Sequence, residues 1–312
     1  MSVSFREKLE RGIVLLDGAF GTYAHSIGLS DEDYGDRVGC LEYLSFTRPE
    51  LVERIHRDYL EAGSDAVETN SFGGNVVKLT EYGLSDKVHE INLRAAELAR
   101  KAADGISTDD HPRYVVGTMG PTGKLPSSTD PSMGDITYGQ LRDIYHDQAL
   151  GLIDGGVDAL LVETGQDLLE MKAAVNGARE ALAERKKDLV IMSQCTLANN
   201  GRMLLGTEIS AFMATMGALG VDVIGLNCST GPAEMESALS VLSENAPSYI
   251  SCVPNAGLPV ESEGKTTYTL GPDEMARYMR SFVKKYGADI IGGCCGTGPD
   301  HIRAVAKRLK GK

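Results

Sequence analysis

Gly156-Val157-Asp158-Ala159-Leu160-Leu161-Val162 is one of four copies of a single pattern, the others opening at Gly63-Ser64-Asp65, Gly220-Val221-Asp222 and Gly287-Ala288-Asp289. In each, glycine fits the left-handed position that ends a helix, and the aspartate opens a short apolar run of strand type. Four further strand candidates, Ile13 to Leu16, Tyr114 to Thr118, Leu189 to Gln194 and Tyr249 to Val253, fall before or between them. Helical periods separate the strands: Val88, Ile91, Ala95, Leu98, Ala99 and Ala102 form one apolar stripe, and Thr47-Arg48-Pro49-Glu50 reads as a capping box. Eight strands alternating with helices predict an α/β fold, a single-domain (β/α)8 TIM barrel over residues 1–312, with the aspartate-marked strands as its even members. A doubly wound sheet would not produce the fourfold recurrence, and no Gly-x-Gly-x-x-Gly follows the first strand.

The marker aspartates serve as a ruler. Five residues on lie Asn70, Glu163, Asn227 and Cys294; six residues on lie Ser71, Thr164, Cys228 and Cys295. These are carboxyl ends of even strands, the rim where barrels of this kind assemble active sites. Asp17, closing the first strand, joins them. A second repeat lies on the same rim, Cys228-Ser229-Thr230-Gly231-Pro232 recurring as Cys295-Gly296-Thr297-Gly298-Pro299. Cys228, Cys294 and Cys295 can therefore meet at one metal. Neighbouring residues in a regular strand face opposite ways, so Cys294 and Cys295 share a target only if the backbone there is irregular, as Gly292 and Gly293 permit. Three thiolates suit zinc and leave a fourth position for water or a substrate thiol, which would lose its proton on ligation. Thr230 and Thr297 read as N-caps, with Pro232 and Pro299 in the first helical turns, which would place Cys228 and Cys295 near positive helix ends.

Composition bounds the alternatives. The 312 residues are 42% hydrophobic, enough for a full core, and no apolar run approaches a membrane span, so a soluble cytoplasmic protein is expected. A net charge of −13 without a basic stripe argues against nucleic-acid or anionic-membrane partners. Six cysteines at strand ends and interiors read as free or metal-bound thiols. Cys40 and Cys252 fit loop and core positions, while Cys195 ends a strand and offers a fourth thiolate to a closed structural zinc site. A vicinal Cys294-Cys295 disulfide, an Asp17 turn cap and a phosphate cradle at Gly18 to Gly21 are the other readings. No lysine ends a strand to support Schiff-base chemistry beside such a cradle.

Asp-Gly-Ala-Phe-Gly-Thr at 17–22, Glu-Thr-Asn-Ser-Phe-Gly-Gly-Asn at 68–75, Gly-Leu-Asn-Cys-Ser at 225–229, Pro-Asn-Ala-Gly at 254–257 and Gly-Gly-Cys-Cys-Gly-Thr at 292–297 resemble the homocysteine S-methyltransferases. Nearly the whole chain shares the likeness. Within the family it looks most like the homocysteine-binding domain of the cobalamin-dependent methionine synthases. The resemblance implies a zinc-dependent methyltransferase in which zinc on Cys228, Cys294 and Cys295 activates homocysteine to take a methyl group from methylcobalamin bound elsewhere, yielding methionine. It further implies that Asp17 and Glu163 hold the substrate ammonium, that backbone amides of Gly18 and Ala19 receive its carboxylate, that Asn227 belongs to the substrate site, and that Asn255 approaches zinc when substrate is absent. Betaine-using relatives place a tyrosine where this chain has Thr164, and S-methylmethionine-using relatives commonly carry arginine where it has Gly296. The donor narrows toward cobalamin, with S-methylmethionine or S-adenosylmethionine as alternatives. The cobalamin branch continues into folate, cobalamin and reactivation domains, whereas this sequence stops at Lys312, as an excised domain or as a subunit served by a separate corrinoid protein. A thiol-binding or corrinoid-docking module without turnover is the reading from another class.

Overall fold

A computed structural model describes residues 3–262 and 265–310. Eight parallel strands form the barrel: β1 (Val14–Leu15), β2 (Ala66–Glu68), β3 (Tyr114–Met119), β4 (Ala159–Gly165), β5 (Val190–Cys195), β6 (Val223–Asn227), β7 (Tyr249–Val253) and β8 (Ile290–Ile291). Their spatial order is β1-β8-β7-β6-β5-β4-β3-β2, sequential around the ring as a barrel requires. A small antiparallel hairpin, Val260–Ser262 with Lys265–Thr267, stands in the loop after β7. The expected strands all form, with ends displaced by a residue or two at β1, β3 and β5. Packing follows the two apolar periods. One cluster, including Leu16, Ala66, Val116, Leu161, Met192 and Val223, fills the interior. A larger one lies between strands and helices.

The marker aspartates have a structural purpose that explains their recurrence. Each even-strand aspartate binds one residue of the preceding odd strand twice, through its own amide and through its carboxylate. Leu15 N–H donates to Asp65 Oδ2 (2.9 Å), Val115 N–H to Asp158 Oδ2 (2.7 Å), Ile191 N–H to Asp222 Oδ2 (2.9 Å) and Ile250 N–H to Asp289 Oδ2 (2.8 Å). In return the four aspartate amides donate to the carbonyls of Leu15, Val115, Ile191 and Ile250. The glycines two positions earlier all have positive φ, from +66° to +116°, a conformation with little cost only for glycine. Together these clasps fix strand register from the amino-terminal end.

At the seam between β1 and β2, which share no strand ladder, carboxylates close the ring at both levels. Asp65 clasps Leu15 below, and Glu68 N–H donates to Asp17 Oδ2 (3.1 Å) above.

Two local expectations are corrected. Thr47 ends a short helix, Leu44–Thr47, so it cannot cap the next one; Arg48 stands at that N-cap, and Glu50 accepts from Arg48 Nε (2.6 Å) instead of closing a capping box. The helix Pro232–Asn245 has Gly231 at its N-cap, with no side-chain cap, so Thr230 does not serve there. Proline does open both this helix and Pro299–Lys310, where its missing N–H costs nothing.

Asp65 also pairs with Lys310 (2.7 Å) while 3% exposed. Asp65→Ala is expected to lower unfolding free energy by about 3 kcal/mol, since it strands the buried Leu15 amide and a half-buried ammonium. Exposed Asp36→Ala should stay within about 0.5 kcal/mol of the parent in the same urea titrations.

Candidate active site

The carboxyl ends of the strands enclose a cavity of about 270 Å³. Its lining holds Asp17, Glu42, Glu68, Glu163, Cys228, Cys294 and Cys295, with Phe20, Leu41, Phe72 and Val253 as apolar walls. Among the described residues no lysine, arginine or histidine lines it. Four carboxylates and three thiols without a cationic partner make a site that attracts positive charge. A cleft of about 340 Å³ at the other end of the barrel is lined by Lys8, Arg11, Asp65 and Lys310, and among the described residues no cysteine reaches it.

The three sulfurs converge because the backbone leaves strand geometry at both cysteine positions. Cys228 and Ser229 have φ of +59° and +64°. Cys294 to Thr297 form a tight turn, Thr297 N–H donating to Cys294 O (3.1 Å) and Gly296 taking φ +80°. Thr297 is spent on this turn: its hydroxyl donates to Cys294 O (2.6 Å) and accepts from Ala19 N–H (3.1 Å), so it does not cap the following helix. Gly292 and Gly293 allow close approach, as a Cβ would stand 2.9 Å from Leu16 at the first and 2.5 Å from Thr297 at the second.

Cys228 Sγ lies 3.8 Å from Cys295 Sγ, and all three sulfurs lie within 4.8 Å of one another. Tetrahedral zinc with bonds of about 2.3 Å sets sulfurs about 3.8 Å apart, so the donors and their spacing fit that ion. Contact with Cys228 and the adjacent Cys294 draws Cys295 below the ordinary thiol range, whereas Cys294 is raised well above it. Cys195 is fully buried in the outer core and is not among the converging ligands, which removes a fourth thiolate from the described residues. All six cysteines are free, so the vicinal disulfide is not formed. Cys252 sits in the core with its thiol toward Met235 Sδ (3.7 Å), and buried Cys40 faces Glu42 (3.7 Å).

Glu163 stands at a break in β4, where the register shifts between Val162 and Gly165 and Thr164 has φ +55°. Thr118 Oγ1 donates to its Oε1 (3.0 Å), and Asn227 Nδ2 to its Oε2 (2.9 Å). Burial pushes its pKa up to about 7, against the pull of those hydrogen bonds. Burial likewise raises Asp17 and Glu68 well above the carboxylate range, each helped by the charge of Glu163.

Asn227 does not line the cavity. Its Oδ1 accepts from the strained Thr164 amide (2.8 Å), so its carboxamide braces Glu163 from behind. Gly18 and Ala19 line the cavity, but the Ala19 amide is given to Thr297. Asn255 is buried with its Oδ1 lacking a hydrogen-bond partner. Sequence reasoning passed over Glu68, Glu42, Thr118 and Tyr268. Glu68 lay within a quoted motif, and its place ahead of the rim positions was the available signal.

These features define a (β/α)8 barrel whose acidic mouth brings together three cysteines able to hold a metal ion. The family described as Homocysteine S-methyltransferase matches residues 14–309, and the chain belongs to that family. It is 47% identical over 300 residues to a protein named methionine synthase from Mycobacterium leprae (strain TN), and 45% identical over 298 residues to one of the same name from Mycobacterium tuberculosis (strain ATCC 25618 / H37Rv). Each match covers 96% of this chain but 24% and 25% of the relative, so the chain spans about a quarter of their length. The metallated form of the homocysteine methyltransferase MmuM from Escherichia coli shares the fold, with a TM-score of 0.77 at 24% identity over 97% of this chain and 99% of that one.

Because Glu163 ionises less readily folded than unfolded, its contribution to stability declines as pH rises from about 4.5 to about 7. In metal-free protein, Glu163→Gln should remove that decline. Relative to wild type it should gain on the order of 2 kcal/mol between pH 4.5 and 8, measured by denaturant unfolding at each pH. A difference between the two proteins that does not vary with pH would contradict the assignment.

Proposed function

We propose that this chain binds homocysteine beside a zinc ion held by Cys228, Cys294 and Cys295 and presents its sulfur for methylation to methionine. The observation that carries this reading is the convergence of three sulfurs on a pocket rich in carboxylates and free of cationic side chains. Zinc would supply a thiolate at neutral pH, by lowering the pKa of the sulfur that takes its fourth position. The residues of the chain do the rest. Asp17 and Glu163 attract the ammonium, and its charge offsets the burial that otherwise keeps them protonated. Thr118 and Asn227 hold the Glu163 carboxylate in place. The Gly18 amide is left to meet the substrate carboxylate, Ala19 being committed to Thr297. Phe20, Leu41, Phe72 and Val253 keep water from the sulfur. Asn255, with its free buried acceptor, would be the residue to approach the cation before substrate arrives.

Methylcobalamin on a corrinoid-binding domain or subunit is the donor we infer. A cavity of about 270 Å³ suits a small amino acid, so a macrocycle would have to sit above the mouth. All eight exposed large apolar side chains among the described residues lie in loops that follow strands at that end: Ile27 and Val38 after β1, Phe72 after β2, Met133 after β3, Leu204 and Leu205 after β5, and Leu258 and Val260 after β7. Such a rim fits an apolar partner face. The charge of −13 disfavours nucleic acid, no helix among the described residues is long and apolar enough to cross a membrane, and free thiols suit the cytoplasm.

Purified protein is expected to hold one zinc per chain, and Cys228→Ala, Cys294→Ala or Cys295→Ala should each abolish it, whereas Cys40→Ala should not. X-ray absorption should count three sulfur neighbours, rising to four with homocysteine; four without it would point to a closed structural site. With free methylcobalamin, the protein should accelerate methionine formation, which a docking module would fail to do.

A further inference from the structure

The cavity is divided along the ring of strands. Asp17 and Glu42 follow β1, Glu68 ends β2 and Glu163 lies in β4, whereas Cys228 follows β6 and Cys294 and Cys295 follow β8. A ligand that turns a sulfur toward the cysteines therefore has its far end among carboxylates. Three of those four carboxylates are already engaged by the protein. Asp17 accepts from Glu68 N–H at both oxygens (3.2 and 3.1 Å), Glu163 from Thr118 Oγ1 and Asn227 Nδ2, and Glu42 from Gly73 N–H (2.6 Å). Glu68 is the exception, for nothing among the described residues donates to its carboxylate.

Strand geometry sends Glu68 into the cavity. Along β2, Ala66 packs into the inner cluster and Val67 into the outer one, so Glu68 points inward again at the last strand position. Its amide is given to Asp17, which sets that carboxylate beside the base of the Glu68 side chain. Thr118, on neighbouring β3, holds Glu163 on the same side of the mouth. Burying a carboxyl group without a hydrogen bond costs stability, and a neutral or apolar residue in its place would cost less. In the free protein no hydrogen bond or ion pair of the Glu68 side chain offsets that cost. An ammonium carries three N–H donors, and Asp17 and Glu163 leave one of them to be met.

We propose that Glu68 is a specificity-determining residue, whose unengaged carboxylate takes the third N–H of the substrate ammonium beside Asp17 and Glu163, so that the cavity selects thiols bearing a free α-amino group over thiols without one. This rests on the homocysteine reading above. The sulfur end is common to both kinds of ligand, so Glu68 acts on the choice between them and not on the metal.

Calorimetric titration of zinc-loaded wild type and Glu68→Gln compares L-homocysteine with 4-mercaptobutanoate, the same thiol acid without the amino group. Loss of a hydrogen bond between charged groups should weaken homocysteine binding about thirtyfold in Glu68→Gln, while 4-mercaptobutanoate stays within about twofold of wild type or binds tighter. Zinc content should equal that of wild type, and the unliganded variant should melt no lower, neither of which a damaged scaffold would show. Glu68→Asp keeps the charge but withdraws it by one methylene; it should lose part of the preference for homocysteine, and it decides the matter if the glutamine variant fails to fold. Equal weakening of both thiols, or unchanged binding of homocysteine, overturns the proposal. Wild type without a preference for homocysteine over 4-mercaptobutanoate would instead refute the homocysteine reading, whereas a preference that survives in Glu68→Gln refutes the role of Glu68 alone.

Discussion

Strand register, set by four aspartate clasps, is the constraint on which everything at the opposite end of the barrel depends. Each clasp joins a carboxylate and an amide of an even strand to one residue of the odd strand before it. Five and six residues later come Glu163, Asn227, Cys228, Cys294 and Cys295. A slip of one residue would exchange the two faces of the strand and displace the turns that carry these residues. The clasps lie at the amino-terminal end, where barrels keep stability, while the chemistry occupies the carboxyl end. Reactive groups at the mouth can therefore be arranged without asking them to hold the sheet together.

The mouth departs from regular structure in proportion to what it holds. Thr164, Cys228 and Ser229 take positive φ, and β4 loses register at Glu163. Strain of this kind costs about 1–3 kcal/mol per residue and persists only where neighbours compensate. Asn227 supplies part of the compensation, accepting from the Thr164 amide while it donates to Glu163. Electrostatics add a second cost. Burial raises Asp17, Glu68 and Glu163 together, the charge of Glu163 adds to the first two and that of Cys295 to the third, and among the described residues no cationic side chain lines the cavity. Protonation relieves that cost, and a bound cation would take the place of the proton.

Much of this was legible in one dimension because it depends on period and spacing. The recurring Gly-x-Asp located four strands, and its count placed the cysteines and Glu163 on one rim. What failed was local and depended on competition between partners. Thr47 and Thr297 have the look of N-caps, yet Thr47 ends the preceding helix and the Thr297 hydroxyl is drawn to Cys294 O and the Ala19 amide. Asn227 reads as a substrate contact by position, but its carboxamide is fully engaged with Glu163 and Thr164. Cys195 offered a fourth thiolate on spacing alone, and its side chain points into the outer core.

The sequence by itself determined the architecture, the rim, the family and the three candidate ligands, since apolar period, glycine at helix ends and cysteine spacing are properties of the chain read along its length. Only tertiary structure decided that Glu68 and Glu42 share the cavity with Asp17 and Glu163, and that the ring of Tyr268, 27 positions before Cys295, packs over Gly296 beside it. It also decided that the seam between first and second strands is closed by carboxylates above and below. The physical reason is one throughout: hydrogen bonds and charge act through space, and which donor reaches which acceptor is fixed only when distant loops are folded against one another.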